Sequence, residues 1–111
     1  KDIIIVNGAN FYPQDIEFAA QDSSEHVRPG CVAAFSQDET GNDGSLEIVF
    51  EIRKKATPQA EEICHAVKLA ILNATGIHAT CVVAIQEKTI PKTTSGKIRR
   101  RATREALHNS E

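Results

Sequence analysis

The apolar patterning of the 111 residues predicts an α+β domain, a small β-sheet packed with about three helices. Three observations carry that prediction. Leu46, Ile48, Phe50 and Ile52 alternate with Glu47, Val49, Glu51 and Arg53, the period of two that marks a strand with one face covered. Ala60, Ile63, Cys64, Val67, Ala70, Ile71 and Ala74 recur three and four residues apart, the period of a helix. The elements fall in the order β-α-β-β-α-β, followed by a terminal helix.

The first element is Ile3-Ile4-Ile5-Val6, β-branched and apolar, which runs into the turn-rich segment Asn7-Gly8-Ala9-Asn10. A start inside structure, without a methionine, reads as a piece cut from a longer protein. Pro13 suits the first turn of a helix reaching about Ala20, with Gln14, Asp15 and Glu17 near its positive end. Ile16, Ala19 and Ala20 then turn inward, and Asp22-Ser23-Ser24 ends the helix. After Arg28-Pro29-Gly30, the run from Cys31 to Phe35 reads as a buried strand. Asp38 to Ser45 is a polar hairpin loop, and residues 46–53 are the half-exposed antiparallel partner. The second helix is expected to take Thr57 as N-cap and Pro58 as its first residue, with Glu61 and Glu62 in the first turn and Gly76 as the stop. A further strand, Cys81 to Ile85, precedes the C-terminal segment.

Composition excludes several classes. With 41% hydrophobic and 25% charged residues, 6 Gly and 4 Pro, the chain is not disordered, collagen-like or a coiled coil. One domain of this length buries roughly 65% of its unfolded surface and leaves little room for an enclosed active site. Cys31, Cys64 and Cys81 are an odd number in apolar surroundings, which reads as free buried thiols. Cys64-His65 lacks the second pair that a zinc site needs, so no metal site is expected. No apolar run approaches the ~20 residues of a membrane span, and no signal-peptide pattern opens the chain. The expected location is cytoplasmic, where the Asn73-Ala74-Thr75 sequon stays unmodified. His26, His65, His78 and His108 have no sequence partner that suggests a triad and read as structural or surface residues.

The net charge of −2 conceals an asymmetry. Residues 88–111 hold seven basic residues against two acidic ones, a local +5, so residues 1–87 carry −7. Inside that basic segment, Pro91 restricts the backbone, Thr93, Thr94 and Ser95 favour side-chain to backbone bonds, and Gly96 permits a positive φ. These residues predict an ordered, exposed loop presenting Lys97, a point charge suited to a phosphate or carboxylate delivered from outside. Gly96-Lys97 is not a P-loop: Pro91 and Ile98 stand where that motif needs Gly and Ser or Thr. Two other readings remain. Lys97 to Arg104 could be a nucleic-acid patch, although no aromatic residue lies near it to stack on bases. Alternatively, it is a solvated basic helix with Ile98, Ala102 and Ala106 inward and Arg101 paired to Glu105. Asp15 and Glu17 need no catalytic role, since a helix first turn accommodates carboxylates.

Pro91-Lys92-Thr93-Thr94-Ser95-Gly96-Lys97-Ile98-Arg99-Arg100 resembles the last core motif of the adenylate-forming superfamily of acyl-CoA synthetases, peptide-synthetase adenylation domains and luciferases. Lys1 to Glu17 is similar to the hinge-and-loop motif that opens the C-terminal subdomain of these enzymes. The wording Asn10-Phe11-Tyr12-Pro13-Gln14-Asp15-Ile16-Glu17, with Arg28 to Phe35 after it, most resembles fatty acyl-AMP ligases. The resemblance implies that residues 1–111 are the mobile lid subdomain of a ligase whose large N-terminal domain holds ATP, Mg²⁺ and a fatty acid. No cofactor is then expected on this chain alone, and the isolated subdomain is expected to be inactive. Lys97 falls on the catalytic lysine, with Pro91, Thr93, Ser95 and Gly96 supporting its loop. Lys1 and Asp2 fall on the hinge, and Gly8, Ala9 and Asn10 on the loop that meets the acceptor's pantetheine. Arg99 and Arg100 steady the loop, meet the acidic surface of a carrier protein, or belong to a solvated helix. In fatty acyl-AMP ligases the acceptor is an acyl carrier protein, often in polyketide or lipopeptide biosynthesis; in the related coenzyme A ligases it is free coenzyme A. Neither nucleic acid nor a membrane is an expected partner on this reading.

Overall fold

The computed structural model describes residues 3–38 and 40–109. Among them the chain forms β1 (Ile4–Val6), β2 (Ala9–Phe11), α1 (Pro13–Asp22), β3 (Val27–Phe35), β4 (Glu47–Ile52), α2 (Ala60–Thr75), β5 (Cys81–Gln86) and α3 (Arg100–Asn109). A 3-10 helix over Lys54–Gln59 precedes α2. The α+β class is as the sequence predicts, and its strands divide into two sheets. β1 and β2 form an antiparallel pair, while β3, β4 and β5 form the main sheet with β4 in the middle, antiparallel to β3 and parallel to β5. A parallel neighbour requires a crossover, and α2 supplies it.

β2 corrects the reading of residues 7–10 as a turn alone. Asn7 and Gly8 both take positive φ, 53° and 80°, the backbone that a two-residue hairpin loop needs to match strand twist. Val6 therefore faces Ala9 and Ile4 faces Phe11. The apolar start of the chain is half of a hairpin outside the main sheet.

β4 corrects a second expectation. It was expected to be half-exposed, yet all six of its residues are buried. Ile48, Phe50 and Ile52 pack with Ile16 and Ala20 of α1 and with Ile63, Val67 and Ile71 of α2. Val49 faces the other way, into a cluster with Cys31, Ala33, Phe35 and Ile90, against which Ile98 and Leu107 pack. The sheet is thus covered on both faces, by α1 and α2 on one and by the C-terminal segment on the other. Period-two alternation reports two chemically different faces, and here the polar face meets protein instead of water.

The helix starts also differ from expectation. Thr57 does not cap α2: its hydroxyl donates to the Lys54 carbonyl at 2.7 Å, inside the 3-10 turn that contains Pro58. α2 begins at Ala60 and ends as predicted at Gly76, whose φ of 79° lets its N–H reach the Leu72 carbonyl at 2.8 Å. On α3, Ala106 is exposed, and the buried residue is Thr103, 3% exposed. Its hydroxyl is satisfied by the Arg99 carbonyl at 2.8 Å.

The loop after β3 closes onto the start of the chain. The Ile5 N–H donates to the Gly41 carbonyl at 2.8 Å. Gly41 is buried with φ of 76°, and a Cβ there would collide with the Ile3 carbonyl oxygen. Gly41→Ala is accordingly expected to cost about 2–3 kcal/mol, combining a disfavoured φ with a backbone clash. Urea denaturation of the chain reads this as a lower midpoint at unchanged slope. A midpoint equal to wild type would show that the loop does not pack on the first strand.

Candidate functional site

Residues 90–99 fold into a small hairpin that carries Lys97. Lys92 bridges to Ile98. The Thr93 N–H donates to the Lys97 carbonyl at 2.8 Å, and the Gly96 N–H donates to the Thr93 carbonyl at 2.9 Å. Gly96, at φ of 91°, occupies the left-handed position that closes such a loop. The Thr93 hydroxyl accepts the Lys97 N–H at 3.1 Å and lies 3.0 Å from Ser95 Oγ. The Pro91 carbonyl accepts the Arg99 N–H at 3.0 Å. The geometry therefore brings together Pro91, Thr93, Ser95 and Gly96, the four residues expected to support the loop. Lys97 has its backbone fixed on both sides while its side chain is exposed, and among the described residues its ammonium makes no hydrogen bond or ion pair. A fixed backbone with an unengaged cation is suited to an anionic ligand approaching from outside.

Below the hairpin, on the sheet face that sequence reasoning assigned to solvent, lies Glu51. It is 1% exposed and accepts the backbone N–H groups of Lys88 and Thr89, both at 2.9 Å, and of Ile90 at 2.7 Å. Arg28 Nη1 donates to it at 2.7 Å. Burial alone would raise the Glu51 carboxyl, but the three amides and the Cys31 thiol outweigh it, and the net direction is below the usual carboxylate range. Glu51 was not singled out from sequence. The signal that could have found it was the −7 body facing a +5 tail, which requires acidic side chains where the tail docks.

α3 continues that docking. Arg100 grips Glu17 with two bonds, Nε to Oε2 at 2.7 Å and Nη2 to Oε1 at 2.8 Å, while Oε2 also accepts the Ala34 N–H at 2.9 Å. Glu17 is therefore a structural acceptor joining α1, β3 and α3, a role its expected place in a helix first turn did not suggest. Arg100 likewise leaves the solvated-helix reading. Arg104 Nε donates to the Ser36 carbonyl at 3.0 Å, with its guanidinium 5.7 Å from the Phe35 ring centre. His108 Nε2 lies 2.9 Å from Glu47 Oε1. Arg101 pairs with Glu105 at 3.7 Å as predicted. Arg100, Arg101 and Arg104 of the basic tail are thus engaged within the chain, whereas Arg99, like Lys97, is exposed.

The remaining expectations fall elsewhere. Lys1 and Asp2, the expected hinge, lie outside the described residues. Gly8 is the second residue of the β1–β2 turn, and Ala9 and Asn10 are exposed on β2; no hydrogen bond joins them to the Lys97 hairpin. Among the described residues no disulfide joins Cys31, Cys64 or Cys81, and burial pushes the Cys64 thiol up. Among the described residues, no group of three His, Cys, Asp or Glu side chains could hold a metal ion, and no helix is long and apolar enough to cross a membrane.

Solved structures with this arrangement come from adenylate-forming enzymes. The chain superposes over its full length on 9% of a chain described as the adenylation, ketoreductase and pseudo-Asub multidomain structure of a keto acid-selecting NRPS module, with a TM-score of 0.87 and 28% identity. Over 98% of its length it matches 19% of a chain from a study of fatty acyl-adenylate ligases from E. coli and L. pneumophila, with a TM-score of 0.78 and 25% identity. The fold is that of the C-terminal subdomain of adenylate-forming enzymes. Within that class the chain belongs to the family described as Disco-interacting protein 2-like, AMP domain, which it matches over residues 1–110. A long-chain-fatty-acid–AMP ligase of Mycobacterium marinum is 36% identical over 127 aligned residues, covering 96% of this chain and 20% of that protein. A medium-chain-fatty-acid–acyl-carrier-protein ligase of Moorena producens is 35% identical over 106, covering 94% and 18%. The chain spans about one fifth of the length of these curated relatives.

Proposed function

We propose that residues 1–111 are the mobile C-terminal lid of a fatty acyl-AMP ligase. The observation that carries this reading is the braced hairpin with Lys97 exposed and unengaged at its turn, in a chain whose relatives are named as ligases of fatty acids with AMP or with acyl carrier protein. In the full-length protein, a large N-terminal domain holds ATP, Mg²⁺ and the fatty acid. On this reading Mg²⁺, like ATP, is held by that domain. The fatty carboxylate attacks the α-phosphate, pyrophosphate leaves, and the ammonium of Lys97 stabilises charge shared between carboxylate and phosphate. The lid then turns about Lys1 and Asp2, and the exposed Gly8, Ala9 and Asn10 face the phosphopantetheine of an acyl carrier protein during acyl transfer. The setting is cytoplasmic.

The test is product analysis with the full-length protein, ATP, Mg²⁺ and fatty acids of several lengths, offering either a phosphopantetheinylated carrier protein or free coenzyme A. Acyl-adenylate, followed by acylated carrier protein with little acyl-coenzyme A, is the expected result. Acyl-coenzyme A as the main product would make the protein a coenzyme A ligase. Absence of acyl-adenylate with every acid would remove the ligase reading. Residues 1–111 alone are expected to form none.

A further inference from the structure

Beneath the Lys97 hairpin sits a buried carboxylate to which the proposed chemistry gives no part. Glu51 Oε1 accepts Lys88 N–H and Arg28 Nη1; Oε2 accepts Thr89 N–H and Ile90 N–H. Cys31 Sγ, on the neighbouring strand, accepts from Lys92 Nζ at 3.3 Å. The segment that leads into the hairpin is therefore tied to one side chain, and the first residue of its bridge to Cys31 of β3. Lys88 holds φ of 66°, a left-handed backbone that a residue with a Cβ adopts only when its surroundings fix it. From Ile90 onward the connection to Lys97 is continuous. Ile90 is buried in the cluster against which Ile98 packs, Pro91 holds Arg99, and Lys92 bridges to Ile98.

A buried carboxylate is a costly way to cover a sheet. An apolar side chain at position 51 would escape the desolvation, but it would leave three consecutive amides without acceptors and the hairpin's base untethered. The geometry points to Glu51 as a positioning residue that fixes residues 88–90 and, through them, the placement of the Lys97 ammonium at the reacting phosphate. This inference rests on the reading of Lys97 as the adenylation lysine. Misplacement by about 1 Å suffices to lose much of the rate in a preorganised site.

The experiment is a double-mutant cycle in the full-length ligase, with the two half-reactions measured separately. Glu51→Gln keeps size but replaces one accepting oxygen by an amide nitrogen. It is expected to slow acyl-adenylate formation on the order of 10–30-fold, with acyl transfer from preformed acyl-adenylate changed less than about threefold. In a Lys97→Ala background the same substitution is expected to change adenylation by less than about twofold, because the group it positions is gone. Equal slowing of both half-reactions, or the same factor in both backgrounds, would make Glu51 merely structural and overturn the inference. A Lys97→Ala enzyme with normal adenylation would overturn the reading of Lys97 itself, and the role of Glu51 with it. Should Glu51→Gln fail to fold, Glu51→Asp goes through the same cycle with the same two criteria. It retains the charge near Arg28 but withdraws the carboxylate from the amides by one methylene.

Discussion

With Lys97 in the proposed adenylation role, Lys97→Ala is expected to slow acyl-adenylate formation by the full-length protein about 10²–10³-fold, while acyl transfer from preformed acyl-adenylate falls by less than about threefold. The magnitude follows from removing one preorganised cation from a site where charge develops, typically ~3–4 kcal/mol of barrier. The asymmetry follows from position: the ammonium has no hydrogen bond or ion pair among the described residues, so its loss disturbs no internal network. The hairpin itself is held by backbone bonds of Thr93, Gly96 and Arg99, which alanine at position 97 leaves intact. Single-turnover measurement of each half-reaction checks both factors, together with a thermal melt expected to match wild type. Equal loss in both half-reactions would remove Lys97 from adenylation.

The loop that presents Lys97 was legible in the sequence because it is specified locally. Pro91, Thr93, Ser95 and Gly96 act on neighbours one to five residues away, and such bonds follow from residue type and spacing. What escaped was non-local. Glu51 reaches the amides of residues 88–90 across 37 to 39 positions of sequence, and Arg100 reaches Glu17 across 83. Nothing within either local segment names the partner. The same reason explains β4: its alternation of Ile48, Phe50 and Ile52 with Glu47, Val49 and Glu51 fixed the strand and its two faces, but only the folded chain shows that the tail lies on the second face. β2 is a different case. Asn7-Gly8 is a strong hairpin turn, but Ala9 and Asn10 after it have little strand propensity of their own; pairing with β1 supplies what propensity lacks. The charge asymmetry, by contrast, was visible throughout. Its meaning changed from a basic patch facing outward to a tail whose Arg100 and His108 dock on Glu17 and Glu47 of the acidic body.

Glu51→Ala is expected to destabilise the domain by about 3–5 kcal/mol, against total stabilities of roughly 5–15 kcal/mol for domains in general. The lost carboxylate would strand the N–H groups of Lys88, Thr89 and Ile90 at a position that is 1% exposed, and would leave the Arg28 guanidinium only its longer contact to Glu87 at 3.9 Å. The effect depends on pH in a direction the network sets. Desolvation pushes the Glu51 carboxyl up, the three amides and Cys31 pull it down further, and the folded value lies below the unfolded one. A carboxyl of that kind contributes its full stability above the unfolded value of roughly 4.3 and loses it as pH falls through the folded value. The difference in urea midpoint between wild type and Glu51→Ala is therefore expected to be constant from about pH 7 to 5 and to narrow on further acidification. Asp43, whose carboxyl also lies low, is present in both proteins and cancels in that difference. A difference that widened below pH 4 would put the folded carboxyl above the unfolded one, and a midpoint unaffected by the substitution at neutral pH would mean that the amides of residues 88–90 find acceptors without Glu51.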